Sequence, residues 1–307
     1  MIRILYILFL GVFLICKSYA QQDPLLTQYM FNPFVFNPAY AGSQDDLVGT
    51  IQSRYQWVGA SDGISSPKTY IANAHTLLND EKSGIGGGVM LDENIYIKQV
   101  SFNGSYSHRI IFKKTTLAMG LSVGAIHYQT NYSELNLKNE DDVAFNDGQN
   151  SSRLLPNFGT GLFYYNSRFY LGISLPRIMT NALNDSQAKL NRHYYFNGGY
   201  VLPLGTSFKL KPNVQVRYTE GAPIQLDMNL NMLIYEIIWF GFSYRSLESV
   251  DLLLELNLNK RLRLGYSYDF GYNDFSQYNS GSHEFMLGFK FVPQEKEKEK
   301  VYSPRYF

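Results

Sequence analysis

From Leu47 to Val292 the chain repeats one rhythm about fourteen times: roughly ten residues alternate apolar with polar, then a turn follows. In Lys98–Arg109, Val100, Phe102, Gly104 and Tyr106 fall on one face. Gln99, Ser101, Asn103, Ser105, Ser107 and Arg109 fall on the other. The pattern predicts strands over Leu47–Val58, Lys68–Leu78, Gly84–Leu91, Ile97–Arg109, Thr115–Tyr128, Asn157–Asn166 and Phe169–Leu175. It continues with Arg192–Leu202, Phe208–Tyr218, Ile224–Ile234, Ile237–Arg245, Val250–Leu258, Arg261–Tyr272 and His283–Val292. A soluble sheet has the same period with its apolar face on a core. So long a series of strands near ten residues also suits a transmembrane barrel, apolar side to lipid and polar side to a lumen.

Parity assigns the faces. Val214, Val216 and Tyr218 point to lipid, with Lys211, Asn213, Gln215 and Arg217 inward. Leu252, Leu254, Leu256 and Leu258 point out, with Asp251, Glu255 and Asn257 inward. Leu262, Leu264, Tyr266, Tyr268 and Phe270 point out, with Arg263 and Asp269 inward. A charge on the lipid side near the midplane would cost about 2–4 kcal/mol, so inward placement explains these charges without invoking chemistry. An ion or ligand path through some of them is the other reading.

Connection lengths alternate as a barrel requires. One set is short: Asn79–Ser83, Ile110–Lys114, Ser167–Arg168, Pro203–Ser207, Tyr235–Glu236 and Asn259–Lys260. The other holds the three longest, Asn131–Pro156, Pro176–Asn191 and Asn273–Ser282. The expected fold is all-β, a transmembrane outer-membrane barrel of about 14 antiparallel strands with both termini periplasmic.

The N-terminus changes the compartment. Arg3, the apolar run Ile4–Ile15 and the small-x-small site Ser18-Tyr19-Ala20 predict a secretory signal over residues 1–20, cut before Gln21. The run is too short for a membrane-spanning helix. Cys16, the only cysteine, would leave with it, and the bulky Ile15 before it argues against a lipid anchor there. No disulfide frame or thiolate chemistry is then expected. Residues 21–46 form a Pro-rich aromatic segment, with turn-forming Asn32-Pro33 and Asn37-Pro38, expected to be ordered, non-strand and periplasmic. The barrel is expected over 47–292 and a charged periplasmic tail over 293–307. That tail pairs the solvated run Glu295–Lys300 with the aromatic Tyr302, Tyr306 and Phe307, which suit a docking peptide.

Composition agrees. Aromatic residues are 16% and charged residues only 17%, below the roughly 25% of soluble domains. The net charge of +1 gives no electrostatic ground for a nucleic-acid partner.

Chemical motifs are sparse. The histidines His75, His108, His127, His193 and His283 show no metal-pair spacing. The glycines Gly84, Gly86, Gly87 and Gly88 lack the following helix that a phosphate loop needs, and mark a bend or a close backbone approach instead. No serine-nucleophile motif stands in a strand–turn–helix context. Neither an enzyme nor a cofactor or metal site is expected.

The segment Asp23-Pro24-Leu25-Leu26-Thr27-Gln28-Tyr29-Met30-Phe31-Asn32, followed by Asn37-Pro38-Ala39-Tyr40-Ala41-Gly42, resembles the N-terminal signature of the PorP/SprF family, outer-membrane proteins of the type IX secretion system in Bacteroidota. Pro156–Gly161, Leu171–Pro176, Trp239–Arg245, Gly265–Asp269 and Gly281–Glu284 resemble its later landmarks, so the likeness covers essentially the whole mature chain. Val35-Phe36 departs from it in a spacer that varies.

The resemblance implies an integral outer-membrane protein that assists export beside the main translocon. It would help secrete or attach a surface protein, such as a gliding-type adhesin, through that protein's C-terminal sorting domain. A peptidoglycan-binding periplasmic protein is a further implied partner, besides outer-membrane lipid and other type IX components. Contacts are expected from Gln28, Tyr29, Met30, Asn32, Pro33, Asn37, Pro38, Tyr40 and Gly42, and from Tyr302, Arg305, Tyr306 and Phe307. For the first group an internal plug or brace is the competing reading. A porin or solute transporter is the alternative function, which the polar inward face fits equally well.

Overall fold

The computed structural model describes residues 23–60, 66–131, 151–182 and 189–291. The predicted signal and the tail 293–307 lie outside the described residues.

Fourteen antiparallel strands form one closed barrel. They are β1 Leu47–Tyr55, β2 Lys68–Leu77, β3 Ser83–Asn94, β4 Ile97–Ile111, β5 Thr116–Thr130, β6 Ser151–Tyr165 and β7 Phe169–Leu175. β8 runs His193–Tyr200 and continues as Leu202–Leu204. Then come β9 Phe208–Thr219, β10 Gln225–Ile234, β11 Ile238–Arg245, β12 Ser249–Asn257, β13 Leu262–Gly271 and β14 Ser282–Phe291. Each strand pairs with its sequence neighbours, and β1 closes on β14 from Leu47↔Phe291 to Tyr55↔His283. Closure removes the unpaired strand edges that hydrocarbon cannot satisfy.

One mouth carries only short connections, 78–82, 112–115, 166–168, 205–207, 235–237 and 258–261, and the other carries the long ones. The turn at Tyr235-Glu236 is tight because both residues take positive φ, 50° and 60°. Such turns normally use Asn-Gly, so only its length was readable from sequence. The connection expected over Asn131–Pro156 ends sooner, since β6 begins at Ser151. Pro156 is accommodated within a strand because β7 pairs only with Thr160–Tyr165, leaving no ladder beside it on that side.

The period-2 faces hold. Leu121, Ile173, Leu230, Leu254 and Phe242 are exposed on the outer wall, while Lys211, Asn213, Arg217, Asp251, Glu255 and Asp269 are buried inside. Aromatic pairs ring both ends: Tyr194–Tyr218 and Tyr244–Tyr272 toward the long connections, Tyr164–Phe169 and Phe208–Tyr235 toward the short ones. These match the interfacial girdles of a membrane barrel. Replacing mid-strand Leu254 by Arg should lower unfolding stability in lipid by about 2–4 kcal/mol. Replacing Tyr278, on the long connection, by Arg should leave it nearly unchanged. Heat-modified mobility on gels and denaturant titration in vesicles check both.

Candidate functional site

The lumen is not a water-filled bore. Asp23–Ser43 runs through it as a chain of three short 3-10 turns, Tyr29–Phe31, Pro33–Val35 and Pro38–Tyr40. The sequence builds these turns directly. Proline opens the second and third, where its missing N–H costs nothing. Asn37 caps the third by accepting from the Ala39 N–H at 2.9 Å.

The segment is therefore ordered and non-strand but interior, not at the periplasmic rim where it was expected. Its aromatic residues require this. Leu26, Tyr29, Met30, Phe31 and Phe36 pack against Ile71, Tyr195, Leu233, Trp239, Leu253 and Met286 of the wall. Phe34, Ala39, Tyr40 and Ala41 pack against Ala118, Phe163, Tyr165, Tyr170 and Val201. Burying such side chains stabilises by about 1.5–3 kcal/mol each, a gain that lumenal water would not provide.

Wall glycines admit the segment closely. A Cβ on Gly120 would lie 2.2 Å from the Ala39 nitrogen, and one on Gly84 2.2 Å from the Ala41 oxygen. Gly84, one of the four glycines singled out in sequence, thus marks a close backbone approach, one of the two roles read for them.

Polar contacts pin the segment at three levels. Near the long-connection mouth, Asp23 faces Arg177 at 3.1 Å and His193 at 3.1 Å, and its carbonyl accepts from Arg217 at 3.2 Å. Burial alone would raise the Asp23 pKa. The charges of Arg177, His193 and Arg217 outweigh it and hold the carboxyl below its usual 3.8.

The second level is a buried charge cluster around Thr27. The hydroxyl of Thr27 donates to Asp269 at 2.8 Å and accepts from Arg54 at 3.0 Å and Arg245 at 3.1 Å. Its backbone N–H and that of Gln28 donate to the two oxygens of Glu284, each at 2.9 Å. Gln52 donates to Glu284 at 2.7 Å, and Arg54 pairs with Asp269 at 2.7 Å and Glu284 at 3.2 Å. Arg54 and Glu284 face each other across the β1–β14 seam, so the segment is fastened where the barrel closes. A hydroxyl serves both carboxylate and guanidinium because it donates once and accepts twice.

The third level lies toward the short-turn mouth. The Met30 carbonyl accepts from Lys211 at 3.3 Å and the Phe31 carbonyl from Arg263 at 2.9 Å. The Lys211 ammonium also lies 5.1 Å from the Phe31 ring and 5.5 Å from Trp239. Lower still, the Ala41 carbonyl accepts from Ser107 at 2.5 Å and the Gly42 carbonyl from Arg109 at 3.0 Å.

The residues singled out in sequence fall on this segment together. Gln28, Tyr29, Met30, Asn32, Pro33, Asn37, Pro38, Tyr40 and Gly42 are all buried. Their polar groups meet the wall: Asn32 bonds Gln52 and Asn73, and Asn37 bonds the Leu162 carbonyl. Tyr40 meets His75 and Phe163 edge-on. This is the position of the internal plug weighed in the sequence reading. Tyr302, Arg305, Tyr306 and Phe307 lie outside the described residues.

Thr27, Arg54, Arg245 and Glu284 were not singled out. Inward parity marked Arg54, Arg245 and Glu284 but does not say which charges meet, and Thr27, in a segment without periodicity, has no parity to read. Among the described residues no group of three or more His, Cys, Asp or Glu could hold a metal.

A closed antiparallel cylinder with an apolar, aromatic-girdled outer wall is an integral outer-membrane barrel, here with a self-derived plug. Its architecture is similar to the CymD monoaromatic hydrocarbon channel (TM-score 0.53, 9% identity, covering 89% of this chain and 95% of that one). It is also similar to the toluene transporter TbuX of Ralstonia pickettii (TM-score 0.53, 7% identity, 85% and 92%). At such identity these likenesses show the fold alone. No curated protein matches the chain. The model of the family described as type IX secretion system membrane protein PorP/SprF matches residues 18–289, and the chain belongs to that family.

Three outcomes are expected at the plug. Thr27→Val, which keeps shape but deletes the hydroxyl, should lower stability by about 1–3 kcal/mol. Glu284→Ala, which leaves Arg54 short of a partner, should cost about 3–5 kcal/mol. Both are read from denaturant unfolding in lipid. The stability difference between the protein and Asp23→Asn should be full above pH 3.8. It should shrink as pH falls further, because a carboxyl with a depressed folded pKa loses its contribution only as it protonates.

Proposed function

We propose that this chain is an accessory barrel of the type IX system, helping to secrete or attach a surface protein by recognising it. A gliding-type adhesin with a C-terminal sorting domain would be the client class. A peptidoglycan-binding periplasmic protein would be a second partner.

The observation that carries this reading is the filled lumen. Asp23–Ser43 occupies the bore, and the inward charges hold it there instead of lining a passage. A transporter of solutes needs a route that the resident segment takes up. Midway along the segment, the space beside Phe34, Phe36, Asn73, Ser101, Ser122 and Asn157 is a cavity of about 110 Å³. An adaptor needs no through-route, only a stable body that presents its connections. In this reading Gln28–Gly42 supports the barrel. Recognition then falls to the long connections and to Tyr302, Arg305, Tyr306 and Phe307.

Affinity capture of the detergent-solubilised protein from its own outer membrane tests the proposal, paired with planar-bilayer recording of the purified protein. Co-elution of type IX components and a surface protein carrying a sorting domain, with no steady conductance, is expected. A steady open pore with no such co-eluting chain would overturn the proposal in favour of a solute transporter.

A further inference from the structure

The path of the plug fixes where the chain meets each side of the membrane. β1 starts at Leu47 and β14 ends at Phe291, paired at the short-turn mouth. Strand parity alone would put the chain before β1 on that same side. The contacts show otherwise. Gly42 sits there, bonded to Arg109 near the end of β4 and to His75 near the end of β2. Asp23 sits at the far mouth, bonded to Arg177 in the β7–β8 connection, to His193 at the start of β8 and to Arg217 near the end of β9. Thr27 lies just below it, among Arg54, Arg245 and Asp269, all near the long-connection ends of their strands. Asp23, Pro24 and Leu25 help line a vestibule of about 380 Å³ that opens between Trp57, Pro223, Leu247 and Asn273.

In outer-membrane barrels the short turns face the periplasm and the long loops face outside. We infer that Asp23–Leu25 lies on the cell-surface side of the membrane while Phe291 lies on the periplasmic side. The segment before β1 thus crosses the full thickness of the barrel. It spans the membrane as lumenal filling, and its first residues form part of the surface-facing vestibule. This inference stands apart from the secretion role, since it rests on the path of the chain and on the orientation common to outer-membrane barrels.

Cysteine labelling in intact cells of the native host tests it, using a membrane-impermeant maleimide on the full-length protein. Three single variants are compared with the parent chain as blank: Leu25→Cys in the vestibule, Tyr278→Cys on the β13–β14 connection and Lys114→Cys on the β4–β5 turn. Leu25→Cys is expected to label on intact cells to the same extent as Tyr278→Cys, and Lys114→Cys only after lysis. Labelling of Leu25→Cys with Lys114→Cys, on the side opposite Tyr278→Cys, overturns the lumenal crossing. Joint labelling of Leu25→Cys and Tyr278→Cys only after lysis overturns the membrane orientation. A Leu25→Cys that stays unreactive in solubilised protein contradicts the open vestibule, and overturns the inference too.

Discussion

One carboxylate organises the interior. Glu284 accepts two backbone N–H groups from Thr27 and Gln28, a side-chain amide from Gln52 and the Arg54 guanidinium. It belongs to the last strand and Arg54 to the first, so the same ion pair that bridges the seam also grips the lumenal segment. Removed from water, neither charge is tolerable without its partners. The segment supplies what the wall alone lacks: a hydroxyl placed between Asp269 and two arginines, and two N–H donors. Charges that parity sends inward to avoid lipid are thus matched by a ligand from the protein's own chain.

The molecule is consequently built on two opposed principles. Outside, the barrel is stable because its side chains match hydrocarbon. Inside, it resembles a small globular protein, with aromatic rings, 3-10 turns and glycine-lined close approaches. The inward face is not uniformly polar. Ile71, Phe163, Tyr195, Leu233, Trp239, Leu253 and Met286 interrupt it, and each packs in an apolar cluster that also holds plug residues.

This explains which parts were legible in sequence. The strands were, because period 2 and the alternation of short with long connections are local signals that check one another. Phe169–Leu175 was bounded to the residue, and most other strands to within a few. The plug's order was legible from its Asn-Pro pairs and aromatic residues. Its location was not, because a segment without periodicity has no face to assign. The clue lay elsewhere, in inward residues such as Leu253 and Trp239 that a watery lumen would not favour. The contacts of Thr27 with Asp269 and Arg245 join residues more than two hundred positions apart, which no local pattern can announce.

The grip of Thr27 and Gln28 on both sides of the seam bears on how the molecule is put together. Feeding so bulky an aromatic segment through a finished ring would drag Phe31, Phe34 and Tyr40 past ion pairs already made. Enclosing it while the first and last strands are still apart avoids that barrier. The earliest residues of the barrel-forming polypeptide then serve as the mandrel around which the later ones are wound.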